Sequence, residues 1–330
     1  MCYIKIFIPV DNSEYSNYSV EIGASIAERS GAQLIGCHVY NASLHDRRFK
    51  DMEPGLPEHY QQEERLKRSR MIHNSLIGEG LHLISDAYLD IFEKRCVEAG
   101  IQFTRKLMEG KNWFETVKDV RNNHYDLIIM GIRGLGAVNG NHVGSVCERV
   151  VRRVNTDVLV VKNNGHISER VVVGIDGSDH SYSALGKALA LGKLFDLEIE
   201  AASAYDPNFH RRAFKGLVGV LSEDVGKRFR FKEQERLHDE VIDKGLKKVY
   251  EGYLNKASAI GSKEGFEIKT TLLAGKPYHE IYRYLKVNPP SLLVVSRFGA
   301  HQAEEPEIGN TAENLLRLSP CNILITNSAF

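Results

Sequence analysis

Two consecutive doubly wound α/β domains, each built on a five-stranded parallel sheet, are predicted by three observations in this sequence. The first is a repeat at the scale of a domain: residues match at a constant offset of 165 positions, half of the 330-residue chain. The second is an alternation of short, β-branched apolar runs with helix-period patterns, the signature of βαβ units. The third is a glycine-rich stretch, Gly131-Ile-Arg-Gly134-Leu-Gly-Ala-Val-Asn-Gly-Asn-His-Val-Gly144-Ser145, that follows one such run and leads into a helical pattern.

The repeat fixes the architecture before any single element is trusted. Asp11 matches Asp176, Ser13 matches Ser178, Tyr40 matches Tyr205, Tyr88-Leu89 matches Tyr253-Leu254, and Gly110, Gly134 and Gly144 match Gly275, Gly299 and Gly309. His73 and His238, and Gly80-Leu81 and Gly245-Leu246, keep the same offset. The polar link 162–169 separates a first domain, 1–162, from a second, 169–330.

In the first domain a strand is expected from Tyr3 to Val10, and Asn12-Ser13 caps a helix whose apolar face carries Val20, Ile22, Ile26 and Ala27. A second strand runs from Gln33 to Tyr40. The charged segment from Asn41 to Arg70, with Pro54, Gly55 and Pro57, reads as a loop or a partly helical lid. A long amphipathic helix follows from about Ser69 to Ala99 and stops at Gly100. The third strand spans Ile101 to Met108, a helix Trp113 to Asn122, and the last two strands Asp126 to Met130 and Asp157 to Val161. The second domain repeats the order: strands at 170–175, 198–204, 267–273, 291–295 and 322–326, helices at 181–194 and 278–286, a long helix ending near Gly261, and a Lys- and Arg-rich insertion.

Physical chemistry makes the glycine stretch a phosphate cradle. The strand end at Met130 delivers it to the edge of the sheet where open α/β folds bind ligands. Glycines 131, 134, 136 and 140 permit positive φ and close backbone approach, and Gly144-Ser145 precedes a helix with Val146, Val150, Val151 and Val154 on one face. Backbone N–H groups and a helix amino terminus would then face one anion. A glycine-rich surface loop is the alternative reading of the stretch alone.

Composition narrows the function. Lys plus Arg total 43 and Asp plus Glu total 43, so no global charge favours nucleic acid or an anionic membrane. The five cysteines are odd in number, widely spaced and mostly inside apolar runs, as expected of reduced thiols in a cytoplasm. The amino terminus has no signal-peptide pattern and no apolar run reaches the roughly 18–20 residues of a membrane span, so a cytoplasmic protein is expected. Gly-x-Ser-x-Gly, P-loop, His-Glu-x-x-His and Cys-x-x-Cys motifs are absent, which argues against an ordinary enzyme and assigns no catalytic or metal-binding residue. Lys111 and Lys276 lack P-loop spacing and read as solvated loop charges. His38 and His142 are within reach of the first site, with a structural role favoured for each, and His124, His166 and His210 read as loop residues. The basic run from His210 to Lys232 is interspersed with acids and reads as a solvated helix face.

Strand order and loop together make the chain resemble a tandem universal stress protein. That family's nucleotide signature is Gly, two residues, Gly, nine residues, Gly and Ser or Thr; Gly131, Gly134, Gly144 and Ser145 satisfy it. The resemblance implies a Rossmann-like fold of the adenine nucleotide alpha hydrolase type, with ATP or AMP, with or without Mg2+, as ligand. It places Pro9 and Asp11 near adenine and ribose, Val39 against the base, Met130, Gly131, Arg133 and Gly134 along the sugar and first phosphates, and Gly144, Ser145 and Val146 at the end of the site. Read without it, Asp11 serves equally well in capping the next helix, and Arg133 is a solvated loop charge. The family dimerises through its last strand, so the resemblance implies that the two halves pair as an intramolecular pseudo-dimer about a pseudo-twofold, with a further homodimer open.

The second half keeps Asp176, Ala204, Gly299 and Gly309 but departs elsewhere. Ser296 replaces the first glycine, and Asn310, followed by Thr311, replaces the serine. If position 296 needs positive φ, serine costs about 1–2 kcal/mol, and one lost hydrogen bond at 310 costs about 0.5–1.5 kcal/mol more. Glu304, Glu305 and Glu307 would repel phosphate. One competent site is therefore expected, in the first half, in a stress-response or signalling protein that senses adenine nucleotide and addresses an unknown protein partner. Slow ATP hydrolysis or nucleotidyl transfer at the same site, and a scaffold that binds no nucleotide, are the alternatives.

Overall fold

The computed structural model describes residues 3–136, 143–164, 166–207, 233, 243–300 and 308–327. Glu304, Glu305, Glu307, His142, Gly140, His238, Cys2 and the basic run 210–232 lie outside them. The chain divides into two compact units, Met1–Asn164 and Gly165–Phe330.

In the first unit the order is β1 (Lys5–Pro9), α1 (Glu14–Ser30), β2 (Gln33–Tyr40), α2 (Ala42–Met52), α3 (Glu63–Glu98), β3 (Phe103–Glu109), α4 (Asn112–Asn123), β4 (Leu127–Gly131), α5 (Ser145–Arg153) and β5 (Asp157–Val161). The strands are parallel and lie in the order β3-β2-β1-β4-β5. The second unit has β6 (Arg170–Gly174), α6 (Asp179–Phe195), β7 (Glu198–Tyr205), α7 (Asp243–Lys263), β8 (Lys269–Ala274), α8 (Pro277–Val287), β9 (Leu292–Ser296), α9 (Asn310–Leu318) and β10 (Asn322–Thr326), with the parallel order β8-β7-β6-β9-β10. The doubly wound Rossmann-like architecture is thus present in each unit.

Burial on both faces explains the composition of the strands. β4, β5, β9 and β10 are near-continuous Val, Ile and Leu because helices cover both sides of a parallel sheet. The chain winds outward from β1 to β3 and then returns to β4, so β1 and β4 flank a switch point. Their register, Ile6 beside Leu127 and Phe7 beside Ile128, brings Pro9 to Asp11 alongside Met130 to Arg133. Local signals stop the helices: Ser13 caps α1 by accepting from Ser16 N–H, and Gly31, at φ 72°, ends it in the left-handed conformation that glycine adopts without cost. Asp126 receives the N–H groups of Ile4 and Lys5 at 3.0 and 2.8 Å and so satisfies the start of β1.

The segment expected as a loop or a partly helical lid is largely helical. α2 occupies 42–52, and α3 starts at Glu63, six residues before the expected start at Ser69. Long-range packing decides this: α2 lies against α3 through the stacked rings of Phe49 and His73 at 4.3 Å and the two-pronged Arg70–Glu53 pair. Glu53 is held below the usual carboxylate range by the hydrogen bond from Arg70. Cys37, Cys96, Cys147 and Cys321 are free and buried.

Candidate functional site

A carboxylate at the end of β1 ties two loops together. Asp11 Oδ1 accepts from Ser13 N–H at 3.0 Å and from the Ser13 hydroxyl, while Oδ2 accepts from Leu135 N–H at 3.2 Å. The Asp11 N–H in turn donates to Ser16 Oγ at 3.1 Å. Asp11 therefore supports the capping serine of α1 rather than capping the helix itself, and it latches the start of the glycine loop to strand β1.

Gly131, Gly134 and Gly144 are required by contact and not by dihedral angle, while Gly136 has open space around it. Gly131, Gly134, Gly136 and Gly144 are not in the left-handed region, which corrects the expectation of positive φ for the described members of the loop. A Cβ at Gly134 would lie 2.2 Å from Asp11 Oδ2, one at Gly131 2.7 Å from Tyr15 Cβ, and one at Gly144 2.9 Å from the Ile132 carbonyl oxygen. Each glycine lets backbone meet the start of α1 or the neighbouring loop, and only hydrogen fits there. The non-glycine residue that takes positive φ at the switch point is Asn12, at 57°.

Around this latch the structure gathers the expected residues. Val39 and Met130 are buried at the ends of β2 and β4, Pro9 is half-buried, and Ser145 and Val146 open α5. Gly144, the residue before α5, offers no side chain to cap it, and the exposed Ser145 hydroxyl has no hydrogen bond to a described residue. First-turn N–H groups of α5 are thereby left facing outward beside the loop. Arg133 donates to the Tyr15 hydroxyl at 3.1 Å and lies 5.3 Å from the centre of that ring, so its charge is held at the mouth instead of swinging freely in solvent. His38 Nδ1 is 2.6 Å from the Val10 carbonyl oxygen and the ring sits edge-on to Tyr88 at 5.1 Å, a structural role. Tyr15 and Ser16 are site residues that sequence reasoning missed; the signal available was their position two and three residues after the repeated Asp-x-Ser.

The second unit keeps the latch and changes its surroundings. Asp176 Oδ1 accepts from Ser178 N–H at 3.0 Å and Oδ2 from Ala300 N–H at 2.9 Å, and a Cβ at Gly299 would lie 2.7 Å from Oδ2. Gly309 N–H reaches the Arg297 carbonyl at 2.8 Å, as Gly144 does that of Ile132. Ser296 is not at positive φ, so the strain expected there is absent. Phe298 stands where Arg133 stands and packs on His180 at 5.6 Å, while Arg297 is 2% exposed, so the loop's cation has moved inward by one position. The Asn310 side chain is taken up by Asn314 at 2.6 Å, and Thr311 is exposed. At the end of β7, beside Ala204, Tyr205, Tyr250 and Tyr253 form a cluster with ring centres 5.9 and 5.3 Å apart. Tyr253 lies over Gly177, whose Cβ would come within 2.5 Å of the ring; Gly177 has φ 86°, matching Asn12. Burial pushes the Tyr250 hydroxyl up in pKa, and Tyr253 and Asp176 add to it.

Lys111 and Lys276 cover the Trp113 and Tyr278 rings at 5.4 and 4.9 Å. Among the described residues no group of three His, Cys, Asp or Glu side chains is placed to hold a metal, and no helix is long and apolar enough to cross a membrane.

The model of the universal stress protein family matches the chain twice, over residues 3–162 and 168–327. A universal stress protein of Methanocaldococcus jannaschii is 25% identical over 166 residues, 50% of this chain and 86% of the relative. One from Bacillus subtilis is 27% identical over 157 residues, covering 47% of this chain and 97% of the relative. The solved structure of a universal stress protein from Archaeoglobus fulgidus shares the fold, with a TM-score of 0.60 over 98% of both chains at 19% identity.

Proposed function

We propose, from the premise that this chain belongs to the universal stress protein family, that its first half binds one adenine nucleotide, ATP or AMP, and its second half binds none. The family supports a role in stress response. The reading rests on one observation: the Asp11 latch holds Gly131, Gly134 and the start of α5 at a single edge. Val39 and Met130 offer an apolar face to a purine. Lone pairs on Asp11 not directed at Ser13 or Leu135 accept from ribose hydroxyls. The backbone N–H groups after Gly144, the Ser145 hydroxyl and Arg133 take the phosphates. The described residues do not form a metal site of their own, so Mg2+ enters only as a companion of the phosphates. The action proposed is binding: occupation of the loop 131–145 alters the surface that a protein partner reads.

Three differences argue against the second half. Phe298 carries no charge, the Asn310 amide is engaged by Asn314, and Tyr253 occupies the space over Gly177. Titration calorimetry of the full chain with ATP and with AMP, together with mass spectrometry of nucleotide that co-purifies, tests the proposal. One site per chain is the expected result. No heat at millimolar nucleotide sinks the assignment, and two equivalent sites sink the distinction between the halves.

A further inference from the structure

The amino-terminal half of α3 has no buried residue and meets the preceding segment on one side, through His73 on Phe49 and Arg70 on Glu53. The buried residues of the helix, Ser85, Leu89, Phe92 and Cys96, all belong to the carboxyl-terminal part. On the roughly opposite side Ile72, Leu76 and Leu83 are 55%, 67% and 69% exposed, and at about 3.6 residues per turn they fall on one stripe. No described residue covers that stripe. Gly80 borders it between the two leucines, and the place of its Cβ is open space. A glycine inside a helix weakens it, and no described residue exploits the close approach that Gly80 permits.

Charge along the same face is polarised. Arg65 and Arg68 precede the apolar stripe, and Asp86 and Asp90 follow it. Asp86, Asp90 and Glu93 share one guanidinium, Arg105, at 3.2, 2.8 and 2.6 Å, so three carboxylates meet one cation and that end keeps a negative excess. Exposed Glu79 also lies on this face, between the two leucines, so the helix is basic, then apolar around one carboxylate, then acidic, and its two ends are complementary when it is reversed.

We infer that α3 is the dimerisation element of this protein, pairing antiparallel with α3 of a second copy. In a pairing centred near position 78, Leu76 meets Gly80 of the partner copy and Ile72 meets Leu83. Arg65 and Arg68 then face the opposing Asp90 and Asp86. The contact is isologous, so every favourable pair occurs twice and the assembly closes at two. It is independent of nucleotide binding in the first half.

Sedimentation velocity of the full chain, across a concentration series at low salt, reads the proposal. A dimer is expected, and Leu76→Glu/Leu83→Glu weakens it at least about a hundredfold because the two changes strike the apolar centre twice. Both leucines are exposed, so circular dichroism of the variant matches the parent. Arg65→Glu/Arg68→Glu and Asp90→Lys are each expected to be monomeric alone and to form a one-to-one heterodimer when mixed, since each reversal restores attraction only across the pair. A monomeric parent chain, a dimer indifferent to the leucine changes, or variants that fail to associate on mixing would each overturn it.

Discussion

The two units carry the same latch in different settings. Asp11 and Asp176 bind the same two elements through the same atoms, a serine N–H on one side and a loop N–H on the other. A carboxylate repeated with equal geometry in both halves is therefore scaffold first: it sets the course of the loop whether or not anything binds. The proposed difference in ligand binding rests on what surrounds the latch. Arg133 on Tyr15 faces Phe298 on His180, and Asn12 faces a glycine buried under Tyr253. Duplication preserved the frame, and substitutions of a few lining residues separate the halves.

The sharpest way to break this contrast is to fill the two equivalent glycines. Gly134→Ala places a carbon 2.2 Å from a short, doubly bonded carboxylate and forces Asp11 away from Leu135. Nucleotide affinity is expected to fall about a hundredfold or more, the scale of losing charge-assisted hydrogen bonds. Gly299→Ala meets Asp176 at 2.7 Å and is expected to lower the stability of the second unit with no change in affinity. Calorimetry on both variants decides it: equal losses would show that both halves bind.

Next in size is Tyr253→Ala. Removing a half-buried ring that lies over Gly177 is expected to cost about 2 kcal/mol, less than the ~3–5 of a fully buried aromatic. Urea melts measure the loss, and an unchanged first-half affinity keeps the units distinct; no loss would remove the claim that Tyr253 fills the second cleft. Asp11→Asn is expected to weaken nucleotide about tenfold, because a neutral amide accepts more weakly than a carboxylate, while Asp176→Asn leaves binding unchanged. If Asp176→Asn matched Asp11→Asn in calorimetry, the ligand role of Asp11 would have no basis.

The smallest effect concerns acid. Glu200 is 1% exposed; burial alone would raise its pKa, but Thr271 and Tyr284 donate to it and Lys269 and Arg170 lie close, so the net position is below the usual carboxylate range. A depressed carboxylate contributes stability that is present above its unfolded value, near 4.5, and is lost as pH falls through the folded one. The first unit has Ile35 at the matching position. The single tryptophan, Trp113, belongs to the first unit, so its fluorescence reports that half while circular dichroism reports both. On acidification the ellipticity is expected to begin falling before the tryptophan signal; coincident transitions would contradict this division.

Much of this molecule was legible in the sequence because it is written locally or at a fixed offset. β2, β5 and β10 fall where their apolar runs place them, and the ends of the other expected strands move by only a few residues. The Asn41 to Arg70 segment was legible only as a loop or a partly helical lid. Its helicity comes from Phe49 on His73 and Glu53 on Arg70, contacts 24 and 17 residues apart that no period of two or 3.6 records.

The sequence by itself determined that there are two domains, that each winds twice around a parallel sheet, and that glycines must stand at 131, 134 and 144. Tertiary structure alone decided why. Gly134 is small because Asp11, 123 positions earlier, lies against it, and Ser296 meets no backbone strain because its φ is not positive. Apolar periodicity and spacing are properties of neighbours along the chain, whereas steric exclusion and hydrogen-bond partnership are properties of neighbours in space. Those exist only once β1 and β4 lie side by side.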